Sequence, residues 1–194
     1  MQISIKNLSF SYGEKSVLSH FNLNIRRGER IWIQAPSGFG KTTLLRLICG
    51  LETPDEGEII LEEGLRIVPV FQEDRLLPWR SVAGNIRLVL KDMPARDAKE
   101  ITDEVLSAVG LEEASSKLPA MLSGGMSRRV ALARAIAAGG DVLVLDEPFV
   151  GLDEDIKKRI ADYIKLKYEG KTIIIITHDE TEAELLSAEK IALS

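Results

Sequence analysis

Two short unbroken apolar runs constrain the fold of this chain most: "VLVL" at 142–145, ending in Asp146 and Glu147, and "TIIIIT" at 172–177, ending at His178. Both have strand length, and neither alternates with polar residues, so both faces of each strand must be covered. The segment "DEDIKKRIADYIKLKYEG" reads as a helix between them, and "KIAL" follows the second run as a closing strand. That order predicts a parallel sheet with helices on both faces, and such sheets gather ligands at the carboxyl ends of their strands. Two carboxylates and a histidine therefore fall where a site is expected.

Upstream, "ISIKNLSFSY", "FNLNI" and "RIWIQA" are separated by the turn-like "YGEKS" and "RRGER". They predict a small antiparallel sheet leading into a core strand. "KTTLLRLICG" reads as a helix closed by Gly50, and "GEIILE" and "RIVPVFQ" as further strands. After Gln72 the texture changes. From about residue 81 to residue 138 it is helical, with Ala98, Ile101, Val105 and Val109 spaced to share one face. The expected architecture is one α/β domain, with a core of residues 1–74 and 139–194 and an α-helical subdomain over 75–138. At 194 residues and 45% hydrophobic, the chain can bury one sizeable core.

Composition excludes several function classes. A net charge of −5, with Arg128 and Arg129 making only a pair, argues against nucleic acid as a partner. The single Cys49 cannot form an internal disulfide and sits at an apolar helix position, as a small buried hydrophobe does. The N-terminus alternates like a strand and lacks the apolar core of a signal peptide, and no apolar run is long enough to cross a bilayer. A cytoplasmic protein that reaches any membrane through a partner is expected.

"APSGFGKTT", at 35–43, lies between a strand and a helix, the context that the phosphate-loop pattern G-x-x-x-x-G-K-[ST] requires. The backbone of Ala35, Pro36, Ser37, Gly38, Phe39, Gly40 and Thr43 can wrap phosphates, Lys41 can reach β/γ oxygens, and the Thr42 hydroxyl can ligate Mg²⁺. Ala35 stands where the pattern has its first glycine. Its methyl is tolerable at ordinary backbone angles and costly at positive φ. Asp146 is suited to hold Mg²⁺ through water, Glu147 to orient or deprotonate an attacking water, and His178 to contact a γ-phosphate. A second anion site is read in "LSGGMSRRVALARA", where paired glycines open a helix whose first N–H groups have no partner within it.

With the phosphate loop, Gln72, "LSGGM", "VLVLDEP" and His178 in that order, the chain resembles the ATP-binding cassette (ABC) ATPases from end to end. The resemblance implies ATP and Mg²⁺ as cofactors. It casts Tyr12 as the aromatic that stacks on adenine, Gln72 as the residue between subdomains near the metal, and Asp146 as the Mg²⁺ aspartate. It makes Glu147 the catalytic carboxylate, Asp153 of "GLD" the residue crossing to the partner, and His178 the switch histidine. Tyr12 has packing at a strand end as a rival role, and Asp153 is equally placed to cap the following helix. In the family two cassettes meet head to tail, so Ser123, Gly124 and Gly125 would complete the ATP site of a second subunit, here expected to be an identical chain. Met126 stands where the family usually has glutamine, and packing is its expected role.

The stretch "VFQEDRLLPWRSVAGNI", with "LLPW" ahead of a short helix carrying Asn85, resembles the ATPases of nitrate, sulfonate and taurine importers. That likeness implies transmembrane permease subunits, a substrate-binding protein and a seat at the inner face of the cell membrane. Pro78 and Trp79 fall either where such proteins meet their membrane partner or in a turn that closes the core. An ATP-driven switch or regulator outside transport is the alternative. No regulatory extension is expected after "KIALS".

Overall fold

The structure is a computed structural model that describes residues 1–36 and 38–192. Ser37, one of the phosphate-loop residues named above, lies outside the described residues.

Two sheets share the core. The first is antiparallel, in the order β2-β1-β4, from β1 (Ile3–Tyr12), β2 (Lys15–Ile25) and β4 (Glu56–Leu61). In β1 the inward residues are Ile3 and Ile5, then Leu8 and Phe10, so the alternation slips by one residue midway. A bulge explains the slip: pairing shifts between Ile5 and Leu8, and Asn7 takes a left-handed φ of 49°. Asn22 holds that kink by accepting the Asn7 N–H through Oδ1 at 2.9 Å.

The second sheet is parallel throughout, in the order β5-β6-β7-β3-β8. Its strands are β5 (Ile67–Val70), β6 (Val142–Asp146), β7 (Thr172–Ile176), β3 (Arg30–Gln34) and β8 (Glu189–Ala192). β6 and β7, the unbroken apolar runs, are buried at every position, as central parallel strands must be. Side chains divide by parity. Trp32, Leu143, Leu145, Ile173 and Ile175 join the larger apolar cluster under the helices. Ile31, Ile33, Val142, Val144, Ile174 and Ile176 join the cluster shared with the antiparallel sheet and α1 (Lys41–Ile48).

The helical part carries α2 (Val82–Arg87), α3 (Ala95–Ala108) and α4 (Gly124–Ala138). α4 packs against α2, α3 and β5, and so buries residues on most of its circumference from Val130 to Ala137. α5 (Glu154–Lys167) follows β6. α6 (Glu180–Leu185), absent from the sequence-based expectation, follows β7 and is capped by Asp179, whose Oδ1 accepts the Thr181 N–H at 2.9 Å. Among the described residues no helix is long and apolar enough to cross a membrane.

Candidate functional site

The turn between β3 and α1 depends on two glycines. Gly38 and Gly40 have φ of 85° and 89°, and a Cβ at Gly40 would come 2.4 Å from Cγ1 of Val17. Only glycine fits there. Ala35, by contrast, is not among the residues with positive φ, and its methyl packs on the cluster beneath the antiparallel sheet. The departure from the loop pattern is therefore sterically harmless. Thr43 is buried, and Phe39 and Val17 both pack on the same cluster, which anchors the loop from below. Lys41 Nζ donates to the carbonyls of Ala35 at 2.9 Å and Pro36 at 3.2 Å.

The Thr42 hydroxyl donates to Oδ2 of Asp146 at 2.8 Å, joining the first turn of α1 to the end of β6. Asp146 is 2% exposed. Burial pushes its carboxyl up, opposed by the Thr42 hydroxyl and by the charges of Arg128, Lys41 and Arg46. A desolvated carboxylate beside a hydroxyl is a donor set that suits a hard cation. Among the described residues no group of three or more His, Cys, Asp or Glu could hold a metal.

Glu147 follows with a left-handed φ of 48°, an uncommon conformation for this residue type and a form of local strain that clusters at functional sites. Its N–H donates to the carbonyl of Ile176 at 2.8 Å, clamping it to the end of β7. Its Oε1 lies 3.3 Å from Nε2 of His178. Burial pushes the Glu147 carboxyl up, with His178 opposing and the nearby Glu182 adding to the shift.

The His178 segment is held from behind. Trp32 Nε1 donates to the carbonyl of Thr177 at 3.0 Å, and the Thr177 hydroxyl donates to Oε2 of Glu182 at 2.6 Å. The other oxygen of the buried Glu182 is 3.2 Å from Nζ of Lys157, which also pairs with Glu154 at 3.0 Å and Asp179 at 3.8 Å. The Glu154 carboxylate is the largest of several influences that push Lys157 up.

These residues surround a cavity of about 850 Å³ lined by Tyr12, Gly38, Gly40, Lys41, Thr42, Thr43, Gln72, Asp146, Glu147 and His178. Tyr12 is 45% exposed at its mouth, edge-on to Phe10 at 4.9 Å, with its hydroxyl donating to Glu52 at 3.4 Å. It is not a core tyrosine. Ser123, Gly124, Gly125 and Asp153 do not line the cavity. Ser123 caps α4 by accepting the Met126 N–H at 3.2 Å, and Asp153 caps α5 by accepting the Ile156 N–H at 3.0 Å. The two segments touch, since a Cβ on Gly125 would come 2.8 Å from the carbonyl of Gly151. Met126 packs half-buried on the helical cluster.

Further positions differ from, or sharpen, the sequence-based expectation. Trp79 is 72% exposed, so it does not close the core. Fully buried Asn85 organises that turn instead, accepting the Leu77 N–H at 2.8 Å and donating to the carbonyls of Leu77, Arg80 and Ser81. Cys49 is only half-buried at the end of α1, with burial pushing its thiol up to about 12. Arg128 and Arg129 both turn inward to backbone carbonyls. Arg129 donates to the carbonyls of Val109 and Gly110, both at 3.1 Å, while the Arg128 guanidinium is buried against the backbone behind Asp146 and Glu147. Arg128, Lys157, Thr177 and Glu182 are the site residues that sequence reasoning missed. The one available signal was Arg128 lying four residues before Leu132, on the buried stripe of α4.

Residues 18–150 match the family described as ABC transporter. The chain belongs to the ABC transporter family. This ABC ATPase is 39% identical over 193 residues to the aliphatic sulfonates import ATP-binding protein of Granulibacter bethesdensis, covering 98% of this chain and 79% of that one. It is 39% identical to the spermidine/putrescine import ATP-binding protein of Pasteurella multocida, covering 98% of this chain and 55% of that one. It is 40% identical to the nitrate import ATP-binding protein of Synechocystis, covering 94% of this chain and 29% of that one. Among solved structures, a dimeric ATP-binding cassette in a post-hydrolysis state, bound to ADP and Pi, superposes with a TM-score of 0.87 at 32% identity. The match covers 99% of this ABC ATPase and 94% of that chain.

Proposed function

We propose that this ABC ATPase is the ATP-hydrolysing subunit of an importer, working as a head-to-tail dimer of identical chains docked on permease subunits at the inner face of the cell membrane. The reading rests on one division of residues: Lys41, Thr42, Gln72, Asp146, Glu147 and His178 line one cavity, while Ser123, Gly124, Gly125 and Asp153 stand outside it. A site with its carboxylate, histidine and lysine on one chain and its helix-N-terminal anion donors elsewhere needs a second copy to close. The solved relative whose fold this chain shares is itself dimeric.

In this mechanism Tyr12 stacks on adenine, the backbone of residues 35–43 cradles the phosphates, and Lys41 exchanges the carbonyls of Ala35 and Pro36 for β/γ oxygens. Thr42 and Asp146, with Gln72 lining the same cavity, would hold Mg²⁺, which would supply charge neutralisation on the phosphates. Glu147 orients and deprotonates the attacking water, and His178 fixes both the carboxylate and the γ-phosphate. Ser123, Gly124 and Gly125 of the partner subunit cover the far side of the γ-phosphate. Closure and reopening of the dimer pass motion to the permeases, with residues 75–138 acting as the helical subdomain that meets them through exposed Trp79. A small solute of the nitrate, sulfonate or taurine type, delivered by a substrate-binding protein, is the cargo favoured by the "LLPW" stretch and by two of these relatives.

Light scattering of wild type and Glu147→Gln, with and without Mg·ATP, tests the core of the proposal alongside phosphate release. The expected result is an ATP-dependent dimer for Glu147→Gln and turnover for wild type alone. Tight ATP binding with neither dimer nor turnover in either protein would overturn it.

A further inference from the structure

The buried guanidinium of Arg128 makes contacts that neither the sequence motifs nor the reaction as outlined accounts for. It is 4% exposed and uses every side of its fork. Nη2 donates to the carbonyls of Asp146 at 2.6 Å and Glu147 at 2.7 Å, and Nε donates to that of Pro148 at 2.9 Å. Nη1 donates to the carbonyl of Phe71 at 2.5 Å and to Oδ1 of Asp74 at 3.3 Å. Along an extended strand successive carbonyls point to opposite sides, so three in a row cannot meet one donor group. They do so here because Glu147 turns left-handed, with φ of 48°. The strained turn and the guanidinium require each other: the turn converges the carbonyls, and the planar fork satisfies them once they are buried.

We propose that Arg128 is the positioning residue for Glu147, holding the carboxylate's backbone in its left-handed turn and tying it to α4 and to the strand end that leads into Gln72. Arg128 sits in the second turn of α4, the helix that Ser123 caps. Displacement of that helix is therefore passed through one side chain to the residue that activates water and to the residue preceding Gln72. A lysine cannot replace it, because a single ammonium is a point donor that cannot span three carbonyls on one side and Phe71 on the other. The inference rests on the reading of Glu147 as the catalytic carboxylate.

The test uses the full chain with Mg·ATP and the variants Arg128→Gln, Arg128→Lys, Glu147→Gln and Arg128→Gln/Glu147→Gln. It reads kcat, KM, single-turnover rate and thermal midpoint for each. Loss of positioning predicts that Arg128→Gln lowers kcat by about 10- to 100-fold, the scale of a misplaced reacting group. KM stays within about threefold, as expected when only a transition-state interaction is lost. Arg128→Lys keeps the charge and loses rate nonetheless. In the Glu147→Gln background, Arg128→Gln causes no further loss in single turnover, because both changes act through one carboxylate. A lowered thermal midpoint with wild-type kcat in the folded protein would overturn the proposal, as would equal loss in both backgrounds. If Arg128→Gln does not fold, Arg128→Lys is judged by the same kcat and KM criteria. Wild-type turnover by Glu147→Gln would instead sink the carboxylate assignment, and this inference with it. An inactive Glu147→Gln beside an unimpaired Arg128→Gln would sink this inference alone.

Discussion

Oε1 of Glu147 lies 3.3 Å from Nε2 of His178, across the carboxyl ends of the neighbouring strands β6 and β7. The contact depends on two backbone features: the left-handed turn at Glu147 and its N–H bond to Ile176. It brings a desolvated carboxylate and an imidazole ring to one wall of the cavity, and its consequences separate activity from stability.

The proposed role of Glu147 as a base requires it to be ionised, and burial raises its pKa. The acid limb of kcat should therefore lie above the ordinary glutamate value of about 4.3. Stability runs the other way. A raised folded pKa gives a contribution that is full below the unfolded pKa and lost as pH rises through the folded one. Glu147→Gln should accordingly raise the thermal midpoint at neutral pH, and the gain should shrink as the buffer is taken towards pH ~4. A pH profile of kcat with parallel thermal scans checks both limbs.

Lys157 and Glu182 should respond unequally to truncation. Lys157→Met leaves Glu182 buried with only the Thr177 hydroxyl, and should cost about 3–5 kcal/mol. Glu182→Gln leaves Lys157 with Glu154 and Asp179, and should cost about 1–2 kcal/mol. Urea unfolding of the two variants gives the comparison.

Ala35→Gly restores the usual loop pattern yet should not help. Because Ala35 lacks positive φ, glycine brings only extra freedom to the unfolded chain, a loss of about 0.4–1 kcal/mol. Titration with a fluorescent ATP analogue should show no gain in affinity, and thermal unfolding should show the loss.

Asn85 and Trp79 predict opposite outcomes within one turn. Asn85→Ala strips several backbone groups of their partner and should cost about 2–3 kcal/mol. Trp79→Ala should change stability by no more than about 0.5 kcal/mol, as an exposed side chain does. Its effect should appear instead as weakened capture of the permease subunits, read by co-purification from detergent.

The α/β architecture was legible because its strongest signals are local. Unbroken apolar strands such as 142–145 announce burial on both faces, and the phosphate loop carries its glycines where positive φ is needed. α6 escaped because six residues span fewer than two turns, too few for a 3.6-residue period to declare itself. Arg128 escaped for another reason. Its partners are mostly backbone carbonyls drawn from residues 71 and 146–148, and a carbonyl leaves no mark in the amino-acid sequence. Trp79 was ambiguous because an aromatic beside proline serves equally in a packed turn or on a bare one, and only burial distinguishes them.

The odd and even residues of β7 face different neighbours, so the strand is a party wall between two rooms. Shaving a methyl from Ile174 would be felt beneath the phosphate loop, and shaving one from Ile175 in the cluster beneath α4, which opens within "LSGGM". Substitutions one position apart thus become separate probes, one of nucleotide grip and one of the moving arm.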